Sequence, residues 1–457
     1  MEPIRILSTF AQNLSLIVMV RFIDLFAGIG GIRKGFEQAF HELEIETECV
    51  LTSEIKEHAI SVLNANHPNE NVLGDITQIS NEQIPDFDFL LAGFPCQAFS
   101  NAGKRLGFMD TRGTMFFEIA RILKEKQPYG FILENVEGLV NHDKQDKKAK
   151  TGRTLETILS ILQNDLKYNV TWKVLNSKEF GVAQERKRIY IVGTTNRKVP
   201  LDNFPLSTAK LSEIMEEGLE TANTPFTRLL LSHFQPTELY GKSIKDKRGG
   251  DSNIHSWDIE LKGSVTEEQK KLLNMLFRER RKKKWAVEIG IKWMDGMPLT
   301  EKQISTFYTN DNLSDMLRDL TKKGYLKYEH PKKAVKEKTE QGIKSYRVPD
   351  TTLPKGYNIV AGKLSFEINK ILDPNGITPT LVAMDMKKLF VIDNGGLRNL
   401  SLREGLRLCG YPDDFSFPVE KEQGYDLLGN TVVVPVIKAV ARRLGENYIA
   451  NTNHENE

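Results

Sequence analysis

A short apolar run, Phe22-Ile23-Asp24-Leu25-Phe26, breaks into Ala27-Gly28-Ile29-Gly30-Gly31 and then into a helical pattern through Ile32, Phe36 and Phe40. Strand, glycine turn and helix in direct succession constrain the chain more than any other stretch. They open an α/β fold, in which the glycines let a ligand lie against the backbone at a helix N-terminus. The spacing departs from the dinucleotide pattern G-x-G-x-x-G, so the turn alone names no ligand. The rhythm continues. Residues 47–53 read as a second strand ending in Glu54, where an acid is placed to accept hydrogen bonds from a ribose. A helix near 56–66 follows, then Gly74-Asp75-Ile76-Thr77. Asp75 is placed either to meet an adenine amino group or to close an Asx turn. A third strand, Phe87-Asp88-Phe89-Leu90-Leu91-Ala92, delivers Gly93-Phe94-Pro95-Cys96-Gln97-Ala98-Phe99-Ser100.

Thr111-Arg112-Gly113-Thr114 opens a helix running to about Lys126. Tyr129-Gly130-Phe131-Ile132-Leu133 is the next strand, and it ends in Glu134-Asn135-Val136. Two successive strand ends thus present a thiol, Cys96, and a carboxylate, Glu134, at the edge where open α/β sheets bind ligands. A helix near 153–166 and a strand near 170–175 come next. Gln184-Glu185-Arg186-Lys187-Arg188 then enters the strand Ile189-Tyr190-Ile191-Val192-Gly193. Arginines entering an apolar strand are costly unless they are paired or hold an anion or polar ligand. After about Val199 the rhythm stops, and a polar, basic region runs to roughly Pro418. Gly429-Asn430-Thr431-Val432-Val433-Val434-Pro435-Val436-Ile437 then opens an apolar helix reaching about Leu444, expected to pack back on the first domain.

With 457 residues the chain has material for two or three domains. A net charge of only +2 means that any affinity for nucleic acid comes from local patches. Cys49, Cys96 and Cys409 are too few and too scattered for a disulfide framework or a zinc site. That suits a reducing cytoplasm and predicts no metal. No stretch is long enough to span a membrane. Residues 14–20 echo a signal-peptide core, but the apolar run continues into Arg21-Phe22-Ile23 without a small-residue cleavage site. Met19 is a candidate natural start.

Six motifs in order resemble the DNA cytosine-5 methyltransferases of bacterial restriction–modification systems. They are Asp24-Leu25-Phe26-Ala27-Gly28-Ile29-Gly30-Gly31, the Gly93 to Ser100 loop, Glu134-Asn135-Val136, Gln184-Glu185-Arg186-Lys187-Arg188, Leu402-Arg403-Glu404 and Gly429-Asn430-Thr431. The resemblance implies a Rossmann-like, S-adenosylmethionine-dependent methyltransferase sheet with an inserted, mostly irregular target recognition domain. The catalytic, cofactor-binding domain is expected over 1–200, the recognition domain over 201–423, and a C-terminal helix returning to the first domain over 424–457.

The resemblance also implies roles. Cys96 is the nucleophile that adds to carbon 6 of cytosine, so that carbon 5 attacks the methyl donor. Glu134, protonated, donates to nitrogen 3, and Arg188 contacts oxygen 2. Arg186 orients phosphate or the nearby loop. For S-adenosylmethionine, Phe26 would stack on the adenine, Gly28 and Gly30 would admit the methionine end, Glu54 would hold the ribose and Asp75 the adenine amino group. Asn430 and Thr431 would complete the pocket, with Asp24 and Pro95 in the same set. The partner is double-stranded DNA, and the protein is expected to act as a monomer. A target carbon inside a stacked duplex requires base flipping. Gln97, Ser100 and the stretch 101–112, with Arg112, are the expected mobile loop over the flipped base.

Within the insert, Gly376-Ile377-Thr378-Pro379-Thr380-Leu381 resembles the family's Thr-Leu signature, making Thr380 and Leu381 candidate DNA contacts. Residues 278–284 carry six basic side chains and one acid, followed by Trp285. Helices at 300–305 and 313–323, the strand Gly324-Tyr325-Leu326-Lys327-Tyr328, and Ser345-Tyr346-Arg347-Val348 returning antiparallel across a Lys-rich hairpin together suggest a winged-helix-like piece within 266–349. The alternative for that piece is a helical pair that props up recognition loops. Two other functions compete with the main reading: a transfer-RNA cytosine-5 methyltransferase sharing the same core, and a non-catalytic DNA-binding regulator on the same scaffold.

Overall fold

The structure is a computed structural model that describes residues 19–95, 115–146, 148–246, 253–339, 342–360 and 366–455. Two compact units emerge. The first comprises Met1–Glu216, Pro374–Met386 and Leu400–Glu457, and the second Glu217–Asp373 and Lys387–Asn399.

The first unit is built on a seven-stranded sheet. Its strands are β1 (Met19–Leu25), β2 (Glu46–Ser53), β3 (Val72–Leu73), β4 (Phe89–Gly93), β5 (Gly130–Val136), β6 (Asn169–Asn176) and β7 (Lys187–Thr194), in the order β3-β2-β1-β4-β5-β7-β6. β1 to β5 are parallel, while β7 runs antiparallel to both β5 and β6. The strand order reverses at β1, so the crevice at the C-terminal ends of β1 and β4 is the topological switch point where such sheets take ligands. Because β7 is reversed, its first residues, Lys187 and Arg188, lie at that same edge, with Arg188 in register with Val136.

Side-chain alternation along the strands feeds two cores. On one face Ile23, Leu25, Leu90, Phe131, Leu133, Ile189 and Ile191 meet Phe116, Ile119 and Leu123 of the helix Met115–Lys126 and Leu155 and Ile158 of the helix Arg153–Ser160. On the other, Phe22, Phe89, Leu91, Ile132, Tyr190 and Val192 meet Phe36 and Phe40 of α1 (Gly31–His41) and Val436, Ile437, Val440 and Leu444 of the C-terminal helix. The approach of α1 to that helix is close: a Cβ on Gly35 would lie 2.7 Å from Ile437 Cβ. The C-terminal helix begins at Val434, not at the glycine. Gly429 and Asn430 instead close a separate helix, Lys421–Asn430.

The units do not follow the expected boundaries at 200 and 423. Residues 201–216, 374–386 and 400–423 belong to the first unit. Backbone pairing explains the second of these segments: Thr378 N donates to Ala183 O at 2.8 Å, and Glu185 N to Thr378 O at 2.9 Å. Leu402–Leu408 is held likewise, Arg407 donating to Ile214 O at 3.1 Å.

The second unit contains the helices Pro225–His233, Glu267–Glu279, Lys284–Glu288, Glu301–Ser305 and Leu313–Lys322, and three small sheets. One strand pairing differs from expectation. Leu326–Glu329 pairs with Gly356–Ile359, while Ser345-Tyr346-Arg347-Val348 pairs with residues 333–336 inside its own hairpin, Lys332–Thr339 with Gly342–Pro349. A hairpin with a tight end satisfies its backbone locally, which leaves the shorter strand for a more distant partner. Among the described residues no helix is long and apolar enough to cross a membrane.

Candidate active site

At the switch point lies a cavity of about 650 Å³ whose walls come from the ends of β1, β2, β4 and β5, the start of β7 and the turn after Lys421–Asn430. Three left-handed or near-left-handed backbones shape the turn between β1 and α1: Phe26 (φ 56°), Gly28 (φ 57°) and Gly30 (φ 77°). Glycine accepts this geometry freely, whereas Phe26 does so at a steric cost. Phe26 and Gly28 line the cavity; Gly30 caps α1 outside the lining.

The second strand ties down this turn. Glu54 accepts from Gly28 N at 2.7 Å through Oε2, and from Ile55 N at 2.8 Å and Lys56 N at 2.9 Å through Oε1. A carboxylate offers about four acceptor positions, so a further donor is still accommodated. Asp75 lines the cavity, and its Oδ1 accepts from Thr77 N at 2.9 Å, so the Asx turn is present at a cavity-lining residue. Ile55 went unremarked in the sequence. It is 70% exposed yet lines the cavity beside Glu54, and only the fold separates such an apolar wall from an ordinary surface isoleucine.

Asp24, expected among the cofactor contacts, does not line the cavity. It is fully buried, and neither carboxyl oxygen has a hydrogen-bond partner among the described residues. Strand alternation turns it into the α1 face. Burial, only partly opposed by Arg33, pushes its carboxyl up to about 8.

At the far end sit Glu134 and Arg188, with Arg188 Nε 3.1 Å from Glu134 Oε1. Burial raises the Glu134 carboxyl above its ordinary range, against the pull of Arg188 and then Arg186. Asn135, the next residue, donates through Nδ2 to Phe94 O at 2.8 Å and accepts from Val136 N at 2.8 Å. It therefore braces the backbone just before Pro95, a role that its place in the motif Glu134-Asn135-Val136 does not by itself reveal. Pro95 lines the cavity. Cys96, Gln97, Ser100 and Arg112 lie outside the described residues.

Arg186 is not aimed at phosphate. Its buried guanidinium donates to Leu381 O at 2.9 Å, Gly429 O at 3.1 Å and Thr431 O at 2.5 Å. It is a clamp joining three segments of the first unit. Gln184 beside it is likewise buried, accepting from Leu381 N at 3.1 Å and donating to Leu408 O at 2.9 Å. Leu381 is fully buried, so it packs and lends its backbone rather than offering a surface to DNA. Thr380 lines a second cavity of about 580 Å³ with Glu137, Glu185, Lys187 and Pro379; this cavity shares Val136 and Arg188 with the first. Replacing Arg186 by alanine leaves three carbonyls without their donor, and we expect a loss of about 3 kcal/mol in urea unfolding. Arg186→Lys, which cannot reach three acceptors from one plane, is expected to recover less than half; a variant as stable as the parent would refute the clamp.

The C-terminal residues complete the wall. Asn430 lines the cavity and donates through Nδ2 to Asp426 O at 2.8 Å, while Asp426 also binds Lys56 Nζ at 2.7 Å. Thr431 Oγ1 lies 2.7 Å from the Tyr411 hydroxyl. Among the described residues no group of three or more His, Cys, Asp or Glu side chains could hold a metal ion.

A family model described as C-5 cytosine-specific DNA methylase matches residues 20–446. Over 425 residues the chain is 63% identical to the Type II methyltransferase M.NlaIV of Neisseria lactamica, covering 93% of this chain and 98% of that one. It is 62% identical, with the same coverage, to M.NgoBV of Neisseria gonorrhoeae. Identity to M.HgiCI of Herpetosiphon aurantiacus is 42% over 448 residues, covering 92% of this chain and 97% of that one.

Proposed function

Since the chain belongs to the C-5 cytosine-specific DNA methylase family and methylates carbon 5 of cytosine in DNA, we propose that Glu134 and Arg188 hold the target ring while Cys96 attacks it. The observation that carries this reading is the pair itself, a buried Glu134 and a half-buried Arg188 3.1 Å apart, where the two cavities meet. One cavity then serves the methyl donor and the other the flipped base and its strand.

The Cys96 thiolate forms a bond to carbon 6, and the ring's electrons move toward nitrogen 3 and oxygen 2. Glu134, whose carboxyl burial pushes toward the protonated form, donates to nitrogen 3. Arg188 stabilises the charge at oxygen 2. Carbon 5, now part of an enamine, is nucleophilic. Once it carries the methyl group, its proton leaves, the carbon–sulfur bond breaks and the aromatic ring returns with the thiolate free.

The first cavity fits S-adenosylmethionine. Its apolar Phe26 and Ile55, its two acids at successive strand ends and its glycine turn suit the adenine, the ribose and amino group, and the amino-acid end respectively. When bound, that group supplies an electrophilic methyl. Glu54 accepts from the ribose, Asp75 from the adenine amino group, and Asn430 and Thr431 close the wall. Host DNA so methylated resists a cognate restriction endonuclease.

The test is methyl transfer to duplex DNA and to transfer RNA side by side, with bisulfite mapping of plasmid from expressing cells. We expect conversion-resistant cytosines in one sequence context and no label in RNA. Label confined to transfer RNA would overturn the DNA reading.

A further inference from the structure

Lys56 and Asn430 line the first cavity from two segments that are remote in sequence. One carboxylate joins them. Asp426, outside the lining itself, accepts from Lys56 Nζ at 2.7 Å through Oδ2, and the same oxygen lies 3.1 Å from His58 Nε2. Its Oδ1 and its main-chain carbonyl accept from Asn430 Nδ2 at 3.0 and 2.8 Å. Both carboxylate oxygens are therefore engaged, one toward each wall. The helix Lys421–Asn430 allows this, because residues four apart share a helix face.

On the other side, Lys56 caps the start of the helix Glu57–Asn66, which places His58 in its first turn. Lys56 also serves Glu54: its backbone N donates to Glu54 Oε1 at 2.9 Å, while Gly28 N donates to Oε2 at 2.7 Å. A continuous run of bonds thus leads from the glycine turn through Glu54, Lys56 and Asp426 to Asn430. Burial works to raise the Asp426 carboxyl, but the bonds from Lys56 and then His58 outweigh it and hold the group below the ordinary carboxylate range. Removing that carboxylate frees the Asn430 amide from its side-chain acceptor. Lys56, still charged, then has Glu54 two residues away as an alternative partner, where an ammonium competes with a ribose for the same lone pairs. The helix Glu57–Asn66 is tied to the C-terminal segment a second time at its far end. There Asn66 Nδ2 donates to Ser416 O at 2.8 Å, and Ser416 N to Asn66 Oδ1 at 3.0 Å. Neither of those residues lines the cavity.

We propose that Asp426 is a positioning residue for the methyl donor: it holds Lys56 and Asn430 in place on the cavity wall, and so sets the affinity for S-adenosylmethionine without taking part in methyl transfer. The inference rests on the reading of this cavity as the donor site. Donor affinity of the full-length protein is measured by titration calorimetry with S-adenosylmethionine in the absence of DNA. Methyl transfer to the mapped duplex gives kcat and the KM for donor and for DNA. We expect Asp426→Ala to weaken donor binding and raise donor KM about five- to twentyfold, between the weight of a buried charged hydrogen bond and that of an exposed ion pair. At saturating donor, kcat and the KM for DNA should stay within about twofold. Asp426→Glu, which keeps a carboxylate on the same helix face, should return donor affinity to within about threefold of the parent, and Asp426→Asn should recover less. Asn66→Ala, which cuts the same helix from Ser416, should leave donor affinity within about twofold. Should Asp426→Ala melt early, Asp426→Asn against Asp426→Glu carries the comparison. Unchanged donor affinity, a loss that falls on kcat, or an equal loss in Asn66→Ala overturns the proposal. Glu54→Gln tests the underlying reading separately. If it weakens donor binding while Asp426→Ala does not, this inference fails alone; if neither does, the cavity is not the donor site and both fall.

Discussion

Glu134→Ala is expected to lower kcat by two to four orders of magnitude, the usual weight of a positioned proton donor. The carboxyl is buried beside Arg188 at 3.1 Å, and burial raises its pKa above the ordinary range. At a given pH more of it is therefore protonated than of an exposed glutamate, and the protonated form falls away as pH rises through the raised value. Addition of the thiolate demands the opposite, deprotonation. The parent's kcat/KM should therefore show two ionisations. Glu134→Gln keeps a hydrogen-bond donor but cannot ionise, so it should lose less activity than Glu134→Ala, and its profile should report one ionisation. Arg188 loses the Glu134 carboxyl as its partner in both variants, so the difference between them isolates the donor. Two ionisations persisting in Glu134→Gln, or an alanine variant above a tenth of parental kcat, would assign the proton to another group.

Periodicity and strand ends made most of the catalytic sheet legible. Phe22, Leu91 and Ile132 alternate with Ile23, Leu90 and Leu133, and residues at that spacing have few other ways to bury both faces. Glu134 and Arg188 were legible too, because a charge at the mouth of an apolar strand needs a partner. What escaped depends on distant segments. Whether Asp24 faced ligand or helix rested on the phase of one strand against α1. The role of Arg186 rested on carbonyls of Leu381, Gly429 and Thr431, about two hundred or more residues away in the chain. Ile55 carries no local signature, and Asn135, although inside the motif Glu134-Asn135-Val136, shows its role only through its bond to the backbone of Phe94. In the second unit the helices at 300–305 and 313–323 were readable from apolar spacing, whereas Pro225–His233, Glu267–Glu279 and Lys284–Glu288 lie in a stretch expected to be mostly irregular. Strand pairing was not readable, because two short strands of similar composition compete for one partner.

Cys96→Ser is expected to abolish methyl transfer, by at least four orders of magnitude, while leaving duplex binding within threefold. A serine hydroxyl ionises far less readily than a thiol, whose ordinary pKa of about 8.5 already leaves only a few per cent as thiolate at neutral pH. The structure also bears on which thiol reacts. Burial pushes Cys49 up to about 12, and its Sγ lies 3.3 Å from Thr52 Oγ1. Cys409 is fully buried, and burial raises it as well. Neither supplies thiolate at neutral pH, so a brief pulse of iodoacetamide on the folded protein should modify Cys96 alone. A duplex with 5-fluorocytosine at the methylated position gives a second readout. Fluorine at carbon 5 cannot leave as a proton does, so the carbon–sulfur bond persists once the methyl has been transferred. With methyl donor present, the parent should form a denaturation-resistant complex with that duplex, and Cys96→Ser should form none. Adduct formation by the serine variant, or its loss on changing Cys49 or Cys409 instead, would move the nucleophile elsewhere. Rapid alkylation of Cys49 would show that burial does not hold its thiol protonated, and the assignment by elimination would fail with it.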